Sequence, residues 1–125
     1  SEMCIRDRFQ FILHKKADLP GTKLYGLNYP LLETASELVL HGFSVPNYLK
    51  ELGENAEIKI CEKSSLDAAM TDAFNKTRRF FMDTRNLTED EAISLISISV
   101  DFGITQVVDG NWGVHAIIKK AIFPK

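Results

Sequence analysis

Two predicted helices followed by a predicted β-hairpin are the feature that most limits how this chain can fold. Ser64 with Asp67 and Thr88 with Glu91 each place a hydroxyl three residues before an acidic side chain, a pairing that satisfies free N–H groups at a helix start. Apolar side chains then recur every three or four residues, which predicts two amphipathic helices. The first is predicted to end within residues 83–86 and the second near residue 100. The side chains predicted to pack on one face of an antiparallel sheet are Met70, Phe74, Phe81, Leu95 and Ile96.

The segments around these helices favour β-strands. Residues 104–108 and 113–118 are rich in β-branched side chains and flank the turn signal Asp109-Gly110-Asn111, so they predict a hairpin. Apolar density or period-two alternation predicts three earlier strands, and a short helix is predicted before Gly53. The earlier strands cover residues 9–16, 31–41 and 56–62, and the short helix covers residues 47–52. The sequence therefore predicts an α+β fold, in which antiparallel strands and a C-terminal hairpin pack with two amphipathic helices.

Composition excludes several classes of partner. The 125 residues are 45% hydrophobic and 26% charged, with a net charge of −2, which is typical of one globular domain. Because basic patches are absent, neither nucleic acid nor an anionic membrane is expected as a partner. No uncharged apolar stretch approaches the ~20 residues of a membrane span.

The first eight residues differ from the rest. The string SEMCIRDR at residues 1–8 resembles translated sequencing-adapter DNA, so it is expected to be non-native, with residues 9–125 forming one domain that is a piece of a longer protein. Without this string, which contains Cys4, the chain has a single cysteine, Cys61. A lone thiol suits a reducing cytoplasm, which is the expected location.

Residues 99–116, with the sequence SVDFGITQVVDGNWGVHA, resemble the C-terminal signature of the acetamidase/formamidase family, and the match continues through residues 120–123. Two further landmarks precede the signature in the family's order, at residues 66–70 and 87–92, and a weaker likeness lies at residues 29–34. The family usually has Leu-Arg at the position of Phe102-Gly103, and often lysine at that of Trp112. The resemblance covers about residues 30–123.

The resemblance implies the C-terminal part of a larger β-rich enzyme, a metal-dependent hydrolase that splits short linear amides such as formamide or acetamide into carboxylate and ammonia. It implies a divalent metal, with zinc expected, held by histidine- and aspartate-rich segments that would precede this chain. The fragment alone is expected to bind no metal and to be inactive, and the parent is expected to be a homo-oligomer.

Within the hairpin, Asp109 opens the predicted turn and His115 lies on the returning strand. If the parent is an amide hydrolase, both are candidates for proton handling, with Gln106 as a hydrogen-bonding neighbour. The other histidines, His14 and His41, are interpreted as strand-end residues, since no local metal-ligand spacing surrounds them. The alternative interpretation is a non-catalytic structural or subunit-packing module.

Overall fold

The computed structural model describes residues 8–124 and has the predicted α+β class, with four strands and four helices. The predicted non-native segment therefore lies, except for Arg8, outside the described residues. The strands are β1 (Leu31–Glu33), β2 (Glu37–Phe43), β3 (Val100–Gln106) and β4 (Gly113–Lys119). The helices are α1 (Tyr48–Leu52), α2 (Ala56–Glu62), α3 (Leu66–Arg85) and α4 (Glu89–Ser99). None of these helices has both the length and the apolar character needed to cross a membrane.

The strands form one antiparallel sheet in the order β1-β2-β4-β3. β2 and β4 are its central pair, and their register sets Leu40 opposite Ala116 and His41 opposite His115. Because side chains alternate between the two faces of a strand, Leu40 and Ala116 share one face while the two histidines share the other. β3 pairs with the outer side of β4, as the hairpin pattern predicts.

Helices α3 and α4 cover one face of the sheet and form the core with it. Phe81 is fully buried there. The buried cluster around it consists of Leu38, Leu40, Phe80, Ala92, Ile96 and Ile118. Phe74 and Leu95 pack against this cluster as predicted. Met70 does not, and its prediction as a core residue is wrong, because the small residues Ala69 and Ala73 turn toward the sheet instead.

Gly42 explains why small residues lie in that part of α3. A Cβ atom at this position would lie 2.3 Å from the backbone N of Ala73 and 2.5 Å from the backbone O of Ala69. The α3 backbone therefore rests directly on the β2 backbone. A larger side chain at Ala69 or Ala73 would push the helix away from the sheet.

Both predicted helix starts are confirmed, with one shift. Thr88 and Glu91 form the complete capping box of α4. The N-cap of α3 is Ser65 rather than Ser64, and its side chain accepts a hydrogen bond from the N–H of Ala68. Ser64 is used elsewhere, since its hydroxyl donates to the backbone O of Gly110 at 2.5 Å.

The predicted strand over residues 31–41 is divided into β1 and β2. The N–H of Thr34 donates to Glu37 O at 2.9 Å, which closes a tight turn between the two strands. The Thr34 hydroxyl accepts from the N–H groups of Ser36 and Glu37 and stabilises this turn. β2 then continues past Gly42 to Phe43.

The predicted strand over residues 56–62 is wrong, because this segment is helix α2. Ala56 and Ile60 are buried while Ile58, between them, is 70% exposed. Apolar residues at positions 56, 58 and 60 fit a strand, but positions 56 and 60 alone fit one face of a helix equally well.

The predicted strand over residues 9–16 is also wrong. This segment forms no strand, and Phe11 is 95% exposed. A strand is stable only when its N–H and C=O groups pair with a neighbour, and no other strand within residues 8–124 pairs with it. The short predicted helix before Gly53 is confirmed as α1.

Candidate functional site

The loop of the C-terminal hairpin, residues 107–112, has a fixed and unusual backbone. Asp109 and the following Gly110 both have positive φ angles, 61° and 74°. This conformation is uncommon for residues other than glycine, although Asp and Asn tolerate it best. The strand before the loop contains a β-bulge between Ile104 and Gln106. The predicted strand at residues 104–108 ends at Gln106, so Val107 and Val108 belong to the loop.

Asn111 anchors this loop to the rest of the fold. Its Oδ1 accepts from the N–H of Val45 at 3.0 Å, and its Nδ2 donates to the C=O of Val45 at 3.1 Å. The side chain thus pairs with one backbone residue as a neighbouring strand would. The contact from Ser64 to Gly110 fixes the loop from a second side.

Replacing Asn111 by alanine is expected to lower the free energy of unfolding by about 2 kcal/mol, since two hydrogen bonds to the buried residue Val45 are lost. Asn111→Asp retains one acceptor and loses the amide donor. Its free energy of unfolding should therefore lie between those of wild type and Asn111→Ala. Urea denaturation of the 125-residue chain measures both values. Equal stability of Asn111→Ala and wild type would contradict the anchoring role.

Gln106 contributes to the same loop. Its Nε2 lies 3.4 Å from the backbone O of Val108 and 3.3 Å from that of Asn111, and it donates to both. The Asp109 side chain is exposed, and among residues 8–124 it forms neither a hydrogen bond nor an ion pair with His115. The structure thus places Gln106 inside the loop, Asp109 at its exposed tip and His115 on β4, so the three candidates do not converge on one point.

His115 is held on the sheet face opposite the helices. Its Nδ1 lies 2.7 Å from the hydroxyl of Thr105 on β3. Its ring lies over Gly103, where a Cβ atom would come within 2.8 Å of Nε2. Within the described part of the chain, Nε2 itself forms no hydrogen bond.

His41 is a neighbour of the candidate residue His115 that the sequence patterns do not identify. It lies directly opposite His115 in the β2–β4 register, and the two ring centroids are 6.2 Å apart. Its Nδ1 is buried and has no partner among residues 8–124. Only the long-range pairing of β2 with β4 brings these rings together, so no local sequence signal could have identified the pair. His14 is exposed in the N-terminal segment.

A second feature lies where β1 ends and leaves the edge of β2 open. The Lys76 ammonium contacts Asp72 Oδ2 at 2.6 Å and donates to His41 O at 3.0 Å, while Asp72 Oδ2 accepts from the N–H of Phe43 at 2.9 Å. These side chains thereby replace a missing strand neighbour. The adjoining cleft has a volume of about 610 Å³. Burial, followed by the negative charges of Asp83 and Asp72, raises the pKa of Tyr29 in this cleft to about 12.

Residues 8–124 contain no group of three or more His, Cys, Asp or Glu side chains placed to hold a metal ion. The His41–His115 pair therefore does not make a ligand set on its own within this part of the chain. A scan against protein-family models and a search of curated proteins found no match to the chain.

Proposed function

We propose that the chain is the C-terminal part of an amide hydrolase that resembles the acetamidase/formamidase family and converts short linear amides into carboxylate and ammonia. The observation that carries the proposal is the signature at residues 99–116. It includes most of the C-terminal hairpin and His115, whose Nε2 has no hydrogen-bond partner among residues 8–124. The two further landmarks start α3 and α4, the helices that pack on the same sheet. The three similar segments thus belong to one packed unit.

The chemistry requires a proton for the departing amine, because an amide releases its nitrogen only as a neutral leaving group. In this chain His115 is the side chain assigned to carry that proton, at Nε2. Asp109, on an anchored loop, is assigned to orient polar groups near the substrate, and Gln106 keeps the loop in place. The divalent metal implied by the resemblance would supply an activated water. Residues 8–124 offer no ligand set, so the ligands of this metal would come from segments outside the chain.

The test compares the 125-residue chain with a longer protein expressed from the gene including its upstream coding sequence. The longer protein is expected to release ammonia from formamide or acetamide, whereas the 125-residue chain alone should release none. Asp109→Asn in the longer protein should lower kcat/KM at least about tenfold, a loss of about 1.4 kcal/mol. Asparagine tolerates the positive φ of position 109, so the substitution removes the charge and leaves the loop conformation in place.

Release of ammonia by the 125-residue chain alone would contradict the proposal that groups essential for catalysis lie in the rest of the longer protein. An unchanged kcat/KM in Asp109→Asn, with unchanged stability, would give the hairpin a purely structural role. That outcome favours the second candidate function, a subunit-packing module. The N-terminal segment supports this candidate, because Phe9, Phe11 and Leu13 are 81%, 95% and 89% exposed, and apolar side chains grouped in this way mark contact surfaces.

A further inference from the structure

We propose that the outer edge of β3 is a dimer interface, where β3 of a second copy of this chain pairs in the antiparallel direction and joins two four-stranded sheets into one. This inference does not rest on the proposed function. It rests on the difference between the two edges of the sheet, and on the backbone, apolar and charged groups of β3.

The β1 edge of the sheet is blocked against a further strand. β1 has only three residues. Pro30 comes next, opposite His41 in the register, and proline has no N–H to donate to the His41 oxygen. Lys76 donates to that oxygen instead, and Asp72 accepts from the N–H of Phe43. Short edge strands and charged side chains protect a sheet edge from pairing with other chains.

The β3 edge lacks most of this protection. β3 has seven residues, none of them Lys, Arg or Pro, and no strand of residues 8–124 pairs with its outer side. Its bulge, at Thr105, lies beyond Ile104 and leaves a regular edge up to that residue. The Ile104 side chain is 60% exposed. An open edge of this kind favours pairing with another strand.

The backbone of β3 directs hydrogen-bonding groups outward at Phe102 and Ile104. Successive residues of a strand direct their N–H and C=O groups alternately to its two sides. The bond from Thr34 N–H to Glu37 O shows that the odd-numbered residues of β2 face β1, so its even-numbered residues face β4. Carried through the two registers, this alternation turns the even-numbered residues of β3 outward.

Pairing about the midpoint of β3 uses these outward groups. Position 103 is the midpoint of Val100–Gln106, so a twofold axis there pairs the strand over its whole length. It sets Phe102 opposite the partner's Ile104, and four backbone hydrogen bonds then connect the two copies at these positions. An aromatic ring opposite a β-branched side chain is also a favourable cross-strand pair.

The same pairing would close an apolar cavity beside β3. The cavity has a volume of about 210 Å³, and its apolar lining is Leu66, Met70, Phe102, Ile104 and Val114. Met70 is 37% exposed in addition to the exposed Ile104. The partner's Ile104 would lie beside Phe102 on this face, where it covers apolar surface that water contacts in the single chain.

The charge of β3 fits a second copy as well. Asp101 is its only charged residue. Pairing about position 103 sets Asp101 opposite the partner's Thr105 and four residues, or roughly 13 Å, from the partner's Asp101, farther than the Debye length of ~8 Å. The partner's Thr105 contacts the ring of its own His115. Each carboxylate therefore shares a face with an imidazole of the other copy and not with a like charge.

Disulfide formation between two variants tests the register. Opposite side chains of paired strands have Cβ atoms about 5 Å apart, close to the spacing that a disulfide needs. Asp101→Cys mixed with Thr105→Cys, each also carrying Cys4→Ser and Cys61→Ser, should therefore form a covalent dimer on mild oxidation. Asp101→Cys alone is the matched control. It should form little covalent dimer, because its two thiols are roughly 13 Å apart.

Sedimentation of the 125-residue chain without added cysteines tests the surface. The wild-type chain should be dimeric at about 100 μM, well above a Kd in the micromolar range. Ile104→Lys sets a charge against the partner's Phe102 and should raise Kd at least about tenfold. Leu32→Lys is the matched control on the other edge strand, where Leu32 is 53% exposed, and should leave Kd unchanged. Both variants should keep the wild-type circular dichroism spectrum.

A monomeric wild-type chain would overturn the proposal, as would equal effects of Ile104→Lys and Leu32→Lys on Kd. A dimer that is lost on deletion of residues 1–13 but kept in Ile104→Lys would place the contact on the N-terminal segment and would also overturn it. If Ile104→Lys fails to fold, the mixed disulfide still decides. Absence of that disulfide in the longer protein would mean that an upstream segment covers β3, and this result too would overturn the dimer.

Discussion

Replacing Phe81 by alanine is expected to lower the free energy of unfolding by about 3 to 5 kcal/mol, as found for large buried side chains that leave a cavity. Phe81 is fully buried between α3 and the sheet, and its ring meets that of Phe123 edge to face at a centroid distance of 5.6 Å. Both the apolar burial and this aromatic contact are lost in the variant. Urea denaturation of the 125-residue chain, followed by circular dichroism, measures the effect.

Ile98→Ala is the matched control for this experiment. Ile98 lies on α4 and is 83% exposed, so its replacement should change the free energy of unfolding by no more than about 0.5 kcal/mol. A similarly small effect of Phe81→Ala would mean that α3 turns a different face toward the sheet.

Gly42→Ala is expected to destabilise the chain by about 3 kcal/mol, at the upper end of the usual cost of overpacking. The added methyl group would meet the backbone of Ala73 at 2.3 Å and that of Ala69 at 2.5 Å. Neither contact can be relieved by rotating a side chain. The whole helix would have to move outward, which would loosen the packing of α3 on β2 and β4.

Gly103→Ala is the matched control, since it adds the same methyl group to the same sheet. Its nearest neighbour is the His115 ring, which can move. Gly42→Ala should lower the free energy of unfolding much more than Gly103→Ala does. Such a difference would show that close contact with a helix backbone, and not the position of a glycine in the sheet, causes the destabilisation. Equal effects of the two substitutions would contradict this explanation.

The elements that the sequence predicted well are those whose signals are local. The capping residues Thr88 and Glu91 lie within one helical turn and locate the start of α4 without reference to the rest of the fold. The same holds for the hairpin, where the turn residues Asp109 and Gly110 separate two strands close together in the chain. Such features depend on neighbours a few residues away, so sequence patterns identify them.

Other features depend on contacts that a sequence window does not contain. The apolar pattern of helix α2 satisfies the periods of both a strand and a helix, so only its surroundings decide between them. Helical spacing predicts a core position for Met70, but spacing alone does not show that Gly42 brings Ala69 and Ala73 against the sheet instead. The pairing of His41 with His115, and the ring position over Gly103, follow from strand register, which the local patterns around each residue leave open.

The central position of β2 and β4 has a consequence for the protein during its synthesis. All four helices and β3 lie between these two strands in the chain, so β2 leaves the ribosome long before residues 113–119 exist. Until then Leu38, Val39 and Leu40 have only the three residues of β1 to pair with. Pairs of strands distant in sequence also form slowly, and unpaired apolar edges promote aggregation of incomplete chains. The growing chain is therefore expected to need shielding at β2, by the ribosome surface or a chaperone, until β4 has been synthesised.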